Sequence, residues 1–148
     1  MQIVHNSTAY ELANRFATQA LAHAQAVSDG AASGVPLAEL APRVAQASQA
    51  ARDAAYSLKF VHETMTAGAW MPAGLDGVQE GVRMLHAVGI RIGDAGQEAD
   101  ARNYLCQAIR GLGAGVRETT GALDRAKAEE AGAANAVAAL NAAVAAGR

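Results

Sequence analysis

Several residue types are scarce in this sequence, and each shortage excludes a class of protein. A single cysteine, Cys106, rules out an internal disulfide. Aromatic residues make up only 4% of the chain, so a core must be built by close helix approach more than by bulky rings. The formal net charge is −2, and acidic residues interrupt the basic ones. No basic stripe can follow a phosphate backbone, so we expect no nucleic-acid partner.

Long apolar runs are also missing. Residues 1–6 contain no basic segment followed by an apolar one, which a secretory signal requires. The longest uncharged run, residues 131–147, is mainly alanine with Asn135 and Asn141, too short and too weakly apolar for a membrane span. We expect a cytoplasmic protein of bacterial type, or one exported by a route that leaves no cleavable signal.

What the chain has in abundance is alanine, about a quarter of all residues. Small or apolar residues recur at alternating steps of four and three, which is typical of helices packed in a bundle. No segment alternates apolar and polar residues as a half-buried strand does. The pattern predicts an all-α, antiparallel four-helix bundle that forms one domain over residues 1–148.

Capping and turn residues predict where the helices begin and end. Thr8 and Glu11 have the spacing of a capping box that opens the first helix, which should end near Gly30. Proline suits a first helical position, so the second helix should run from Pro42 to about Ala67. Asp76 is the expected cap of the third helix.

The apolar stripe changes register in the second half of the chain. It runs from Val78 to Ile92 and resumes one position out of phase at Leu105, which predicts a break at Gly93–Gly96; the alternative break is Gly111–Gly115. Further on, the stripe meets a glutamate that we do not expect to be buried. Helix four should therefore end at residues 130–132, which allows a fifth, alanine-rich helix at the C-terminus. Three pairs of glycines recur at four-residue spacing and predict close backbone packing: Gly77/Gly81, Gly89/Gly93 and Gly111/Gly115.

The sequence carries no common catalytic or cofactor motif. Glu-x-x-His pairs of di-iron bundles, the Cys-x-x-Cys-His haem motif and the Gly-x-Ser-x-Gly nucleophile elbow are all absent. We therefore expect a protein that is not an enzyme and holds no cofactor.

One end of the predicted bundle nevertheless gathers imidazole and thioether side chains. Antiparallel helices two and three should bring His62 and Met65 level with Met84 and His86, close to Trp70. Such groups can bind a soft metal ion or haem iron. Methionine also fills irregular gaps in helix packing, so the same cluster is consistent with a plain core.

The segment His86-Ala-Val-Gly-Ile-Arg-Ile-Gly resembles the reactive region of histidine phosphotransfer domains. That resemblance implies a four-helix phosphorelay module with His86 as the phosphorylated residue. The segment departs from the family pattern at Gly89 and Ile90, where the family has lysine and glycine.

Tyr56 and Phe60 are one turn apart and, at about 100° per residue, point away from the apolar stripe of helix two. Aromatic residues on an outer face are typical of association sites, unless a neighbouring helix covers them. We expect Tyr56, Phe60 and Trp70 to bind a protein partner or a second copy. The sequence thus favours a protein interaction module: an adaptor, a secretion-associated chaperone or cargo, or an assembly component. The alternatives are a metal- or haem-binding bundle and a phosphotransfer module.

Overall fold

The computed structural model describes residues 5–62 and 71–147, which form four α-helices and no strand. A 3₁₀ turn, Leu37–Leu40, precedes the second helix, and another, Ala95–Gln97, precedes the fourth. In the described ranges, no helix is long and apolar enough to cross a membrane. The helices are α1 (Asn6–Ala32), α2 (Ala41–Leu58), α3 (Leu75–Arg91) and α4 (Glu98–Ala146).

Consecutive helices run in opposite directions, and α4 packs back on α1. The start of α1 lies beside the far part of α4, because Ser7 bonds Glu130, while Asn14 further along bonds Thr120. The all-α antiparallel four-helix bundle is confirmed. Its core is built mainly from alanine, as the shortage of aromatics predicts. In α1, six of the eight buried residues are alanine: Ala9, Ala13, Ala17, Ala20, Ala24 and Ala31.

The predicted break between helices three and four is confirmed. Helix α3 ends at Arg91 and α4 begins at Glu98, whereas Gly111–Gly115 lies inside α4. Between them, the Asp94 carboxylate accepts a hydrogen bond from the backbone N–H of Gly96 at 2.9 Å and stabilises the turn.

The predicted helix starts are wrong by one to three residues. Helix α1 begins at Asn6, so Thr8 is already helical, and the side chain of the N-cap residue His5 makes no capping hydrogen bond. A distant carboxylate, Glu130, accepts the N–H of Ser7 instead. Helix α3 begins at Leu75, preceded by Gly74 with φ of +86°, a left-handed conformation that favours glycine; Asp76 lies within the first turn.

Helix α2 is shorter than predicted. It ends at Leu58, and the predicted end at Ala67 lies outside the described residues. The N–H groups of Phe60 and Val61 bond the carbonyls three residues back, and the Asn6 side chain then holds the chain at His62: its amide donates to the carbonyl of His62 at 2.9 Å, and its oxygen accepts the N–H of His62 at 2.7 Å. That N–H is therefore not available to continue the helix.

The predicted end of helix four at residues 130–132 is wrong, and so is the separate fifth helix. Helix α4 continues for 49 residues to Ala146 and is about 72 Å long. Glu130 does not interrupt it because the carboxylate lies at the edge of the bundle, where the N–H and hydroxyl of Ser7 donate to it at 3.1 and 2.6 Å.

Candidate interaction surfaces

Glycines hold α4 close against α3. A Cβ atom added at Gly77 would lie 2.5 Å from the carbonyl oxygen of Gly111, and one added at Gly115 would lie 2.9 Å from the Val78 side chain. The packing role predicted for these glycines is confirmed. The prediction is wrong for Gly89 and Gly93, whose Cβ positions have no neighbour within 4 Å.

The first part of α4 is a core helix. Its buried residues face α1 and α3 and extend as far as Ala126. Asn14 of α1 adds hydrogen bonds between α1 and α4, because its amide donates to the Thr119 and Thr120 hydroxyls at 3.0 and 2.8 Å. Thr119 is fully buried, and its hydroxyl also donates to the carbonyl of Gly115, so no polar atom of this side chain lacks a partner.

The last part of α4 together with the glycine that follows it comprises residues 131–147, which we call the arm. Every one of these residues is exposed, and the arm projects about 24 Å from the bundle. Its largest apolar side chains, Val137, Leu140 and Val144, are 58, 63 and 51% exposed. The arm carries no charged residue. It is therefore an apolar helical surface that no described part of the chain covers.

The apolar stripe of the arm continues the core-facing side of α4. Ala133 and Leu140 follow at seven-residue steps from buried positions, and Val137 and Val144 follow in the same way from the half-buried Val116 and Leu123. The stripe therefore faces the same side of α4 as the core does, in the space past the end of the bundle where α4 continues alone. The buried positions that precede Ala133 and Leu140 at seven-residue steps are Leu105, Leu112, Thr119 and Ala126.

Glu130 fixes the base of the arm. The hydrogen bond from the Ser7 hydroxyl is the main cause that lowers the pKa of the Glu130 carboxyl, and the nearby His5 acts in the same direction. The carboxylate also lies at the N-terminus of α1, where the helix dipole favours negative charge. The arm therefore starts from a defined anchor.

Tyr56 and Phe60 form a second exposed surface. They are 60 and 41% exposed, and their rings meet edge to face with centroids 5.3 Å apart. The Lys59 ammonium lies 5.8 Å from the centre of the Tyr56 ring. No described helix covers the two rings, which decides between the two alternatives that the sequence left open. A role for Trp70 remains a prediction because this residue lies outside the described ranges. Tyr56 borders an open groove of about 620 Å³ between α2 and α3, lined by Gln49, Arg52, Asp53, Ala55, Tyr56, Lys59, Gln79, Val82 and Arg83.

The structure does not bring the predicted metal ligands together. His62 lies at the end of the bundle beside Asn6. His86 is exposed and lines a groove with Ser48, which lies about 15 Å along α2 from the last residue of that helix. Met84 packs against the core, and Met65 lies outside the described residues. Within residues 5–62 and 71–147, no three His, Cys, Asp or Glu side chains are grouped to hold a metal ion. His62 is not level with His86, because α2 ends at Leu58 and does not continue past His62 as predicted.

The arm is the surface that sequence reasoning missed. Its uncharged composition and its apolar spacing are both present in the sequence, but Glu130 on the stripe predicts an end of the packed helix that the structure does not have. The usable signal is the apolar spacing, which continues past Gly132. No protein-family model, curated protein or solved structure matches this chain.

Proposed function

We propose that this chain is a non-enzymatic interaction module that binds another protein chain through the arm of α4. An adaptor, a secretion-associated chaperone or cargo, and an assembly component all fit this description. The observation that carries the proposal is the exposure of the whole arm together with its apolar stripe.

The free energy of burying apolar side chains supports a binding role for the arm. Burying a valine or leucine side chain contributes about 1.5–3 kcal/mol, and Val137, Leu140 and Val144 leave most of that unrealised. Alanine has the highest helix propensity, and α4 extends the arm from a packed helix, so nucleation has no further cost. A preformed helix loses little conformational entropy on docking, which favours binding.

The Tyr56–Phe60 surface supports the same function at a second place. Tyrosine and phenylalanine are enriched at protein interfaces, and the groove beside them has a rim of mixed charge. The proposal includes a cytoplasmic location, which the exposed, unpaired thiol of Cys106 supports, because such thiols persist in reducing compartments.

Site-specific photo-cross-linking in the producing cells tests this function. A photoreactive residue replaces Leu140 on the stripe, Tyr56 on the aromatic surface, or Ala142 on the opposite face of the arm as the matched control. We expect discrete protein adducts at Leu140 or Tyr56 and far fewer at Ala142. Adduct yields at both test positions no higher than at the control would remove the proposed function.

A further inference from the structure

We infer that the arm binds the arm of a second copy of this chain, antiparallel, so that the two copies are related by a two-fold axis. The inference rests on the proposed function and names the partner. It is derived from the charge, the spacing and the direction of the arm.

Charge favours an identical partner. In a two-fold pair, the same surface of both copies meets, so charges of one sign spread along that surface would face charges of the same sign. Residues 131–147 contain no charge at all, so nothing of this kind opposes self-pairing. A different partner gains specificity from complementary charges, and the arm offers none to pair with.

The spacing of the stripe is the same in both directions. From Ala133, the steps to Val137, Leu140 and Val144 are four, three and four residues. An antiparallel copy therefore places Ala133 opposite Val144 and Val137 opposite Leu140. Every position of the stripe then meets another position of the stripe, as the core positions of coiled coils do.

The direction of the stripe selects the antiparallel arrangement. The stripe faces the same side as the core positions of α4, below the end of the bundle. A parallel copy facing this stripe would place its bundle in the space that the first bundle occupies. An antiparallel copy places its bundle beyond the tip of the first copy's arm. The two paired arms then lie between the two bundles.

The far half of the stripe is open in the described part of the chain. Val144 lies about 21 Å beyond Glu130 and is 51% exposed, so it is available to a second copy.

The size of the contact sets the expected strength. A third of the circumference of a helix along about 24 Å gives roughly 300 Å² per arm, or roughly 600 Å² in total. Stable complexes bury about 1,200 Å² or more, so we expect a reversible dimer with a Kd on the order of 10 μM or weaker.

Cysteine cross-linking tests the pairing and its direction in the full chain with Cys106→Ser. The double variant Ala133→Cys/Val144→Cys places each new thiol opposite the other thiol of the partner. We expect mild oxidation to give a disulfide-linked dimer, with at least about tenfold less from either single variant, because identical positions lie about 16 Å apart. The matched control is Ala131→Cys/Ala142→Cys, with the same spacing on the opposite face.

Three results would overturn the inference. These are equal cross-linking of the test and control pairs, efficient cross-linking by each single variant, which indicates parallel arms, and no dimer from the test pair. If Leu140 still gives adducts with a different protein in cells, the proposed function stands while self-pairing fails.

Sedimentation equilibrium provides a second test without cysteine chemistry. Val137→Glu/Leu140→Glu places charges on the stripe, and Asn135→Glu/Ala138→Glu places the same charges, with the same spacing, on the opposite face. We expect the first variant to weaken dimerisation at least about tenfold and the second to change it little. Equal effects of the two variants, with helicity unchanged in both, would contradict pairing through the stripe.

Discussion

The two parts of α4 are one continuous helix with the same apolar spacing, yet their surroundings are opposite. Residues up to Ala126 pack against α1 and α3, whereas every residue of the arm is exposed. Helix formation and burial are therefore separable in this protein. The high helix propensity of alanine extends the helix, whereas contact with a neighbouring helix determines whether its apolar side stabilises the fold.

Glu130 marks the boundary between these two parts. Its carboxylate bonds Ser7, and beyond it no described segment of the chain runs alongside α4. The first part of α4 therefore contributes to the packed fold, whereas the arm has no buried residue. The predictions below test this division and the packing of the bundle around it, starting with the largest effect.

Leucines in the two parts of α4 should differ most. Leu112 is fully buried, so Leu112→Ala should lower the free energy of unfolding by about 3 kcal/mol. Leu140 is 63% exposed, so Leu140→Ala should change it by less than about 0.5 kcal/mol in the monomer. Urea unfolding at low protein concentration measures both values. Similar losses in the two variants would show that the arm belongs to the folding unit.

Two glycines of α3 should also differ, because only one of them packs closely against α4. Gly77→Ala forces a methyl group against the backbone of Gly111 and should destabilise the protein by about 2 kcal/mol. The matched control is Gly89→Ala, where nothing lies within 4 Å and alanine should stabilise the helix by up to about 1 kcal/mol. Thermal unfolding of both variants tests the α3–α4 contact. A loss at Gly89 equal to that at Gly77 would mean that close approach is not the cause.

The carboxylate at the boundary should have a smaller, pH-dependent effect. Because the Ser7 hydroxyl lowers the pKa of Glu130, the ionised form stabilises the fold, and this contribution is present above the ordinary glutamate pKa. It is lost as the pH falls through the lowered folded-state pKa. Glu130→Gln should cost about 1 kcal/mol at pH 7 and less at pH 3.

Glu129→Gln is the matched control, because this neighbouring side chain is exposed. Chemical unfolding of both variants at the two pH values gives the comparison. A cost of Glu130→Gln that is the same at both pH values would contradict the anchoring role of the carboxylate.

The smallest effect on stability is expected at the aromatic surface. Tyr56→Ser with Phe60→Gln should leave helicity and cooperative unfolding intact and change stability by less than about 1 kcal/mol, since both rings are exposed. Binding of a partner at this surface should weaken. Circular dichroism with thermal unfolding checks the first point, and loss of cooperativity would show that the two rings are part of the core.

Local patterns predicted the helices and the break before Glu98, because periodicity and glycine act within a few turns. They also predicted that Tyr56 and Phe60 point away from the apolar stripe, since their angle on α2 is set by the helix itself. The ends of α2 and of the packed part of α4 depend on bonds between residues far apart in sequence. Asn6 with His62 and Ser7 with Glu130 are such pairs, and no local rule contains them.

Hydrogen exchange of the full chain across a series of protein concentrations tests the division of α4 most directly. In the dilute monomer, we expect the backbone amides of residues 131–146 to exchange orders of magnitude faster than those of residues 101–126, with protection of the arm rising as concentration increases. The contradicting result is an arm that is protected as strongly as residues 101–126 at a concentration where the protein is monomeric.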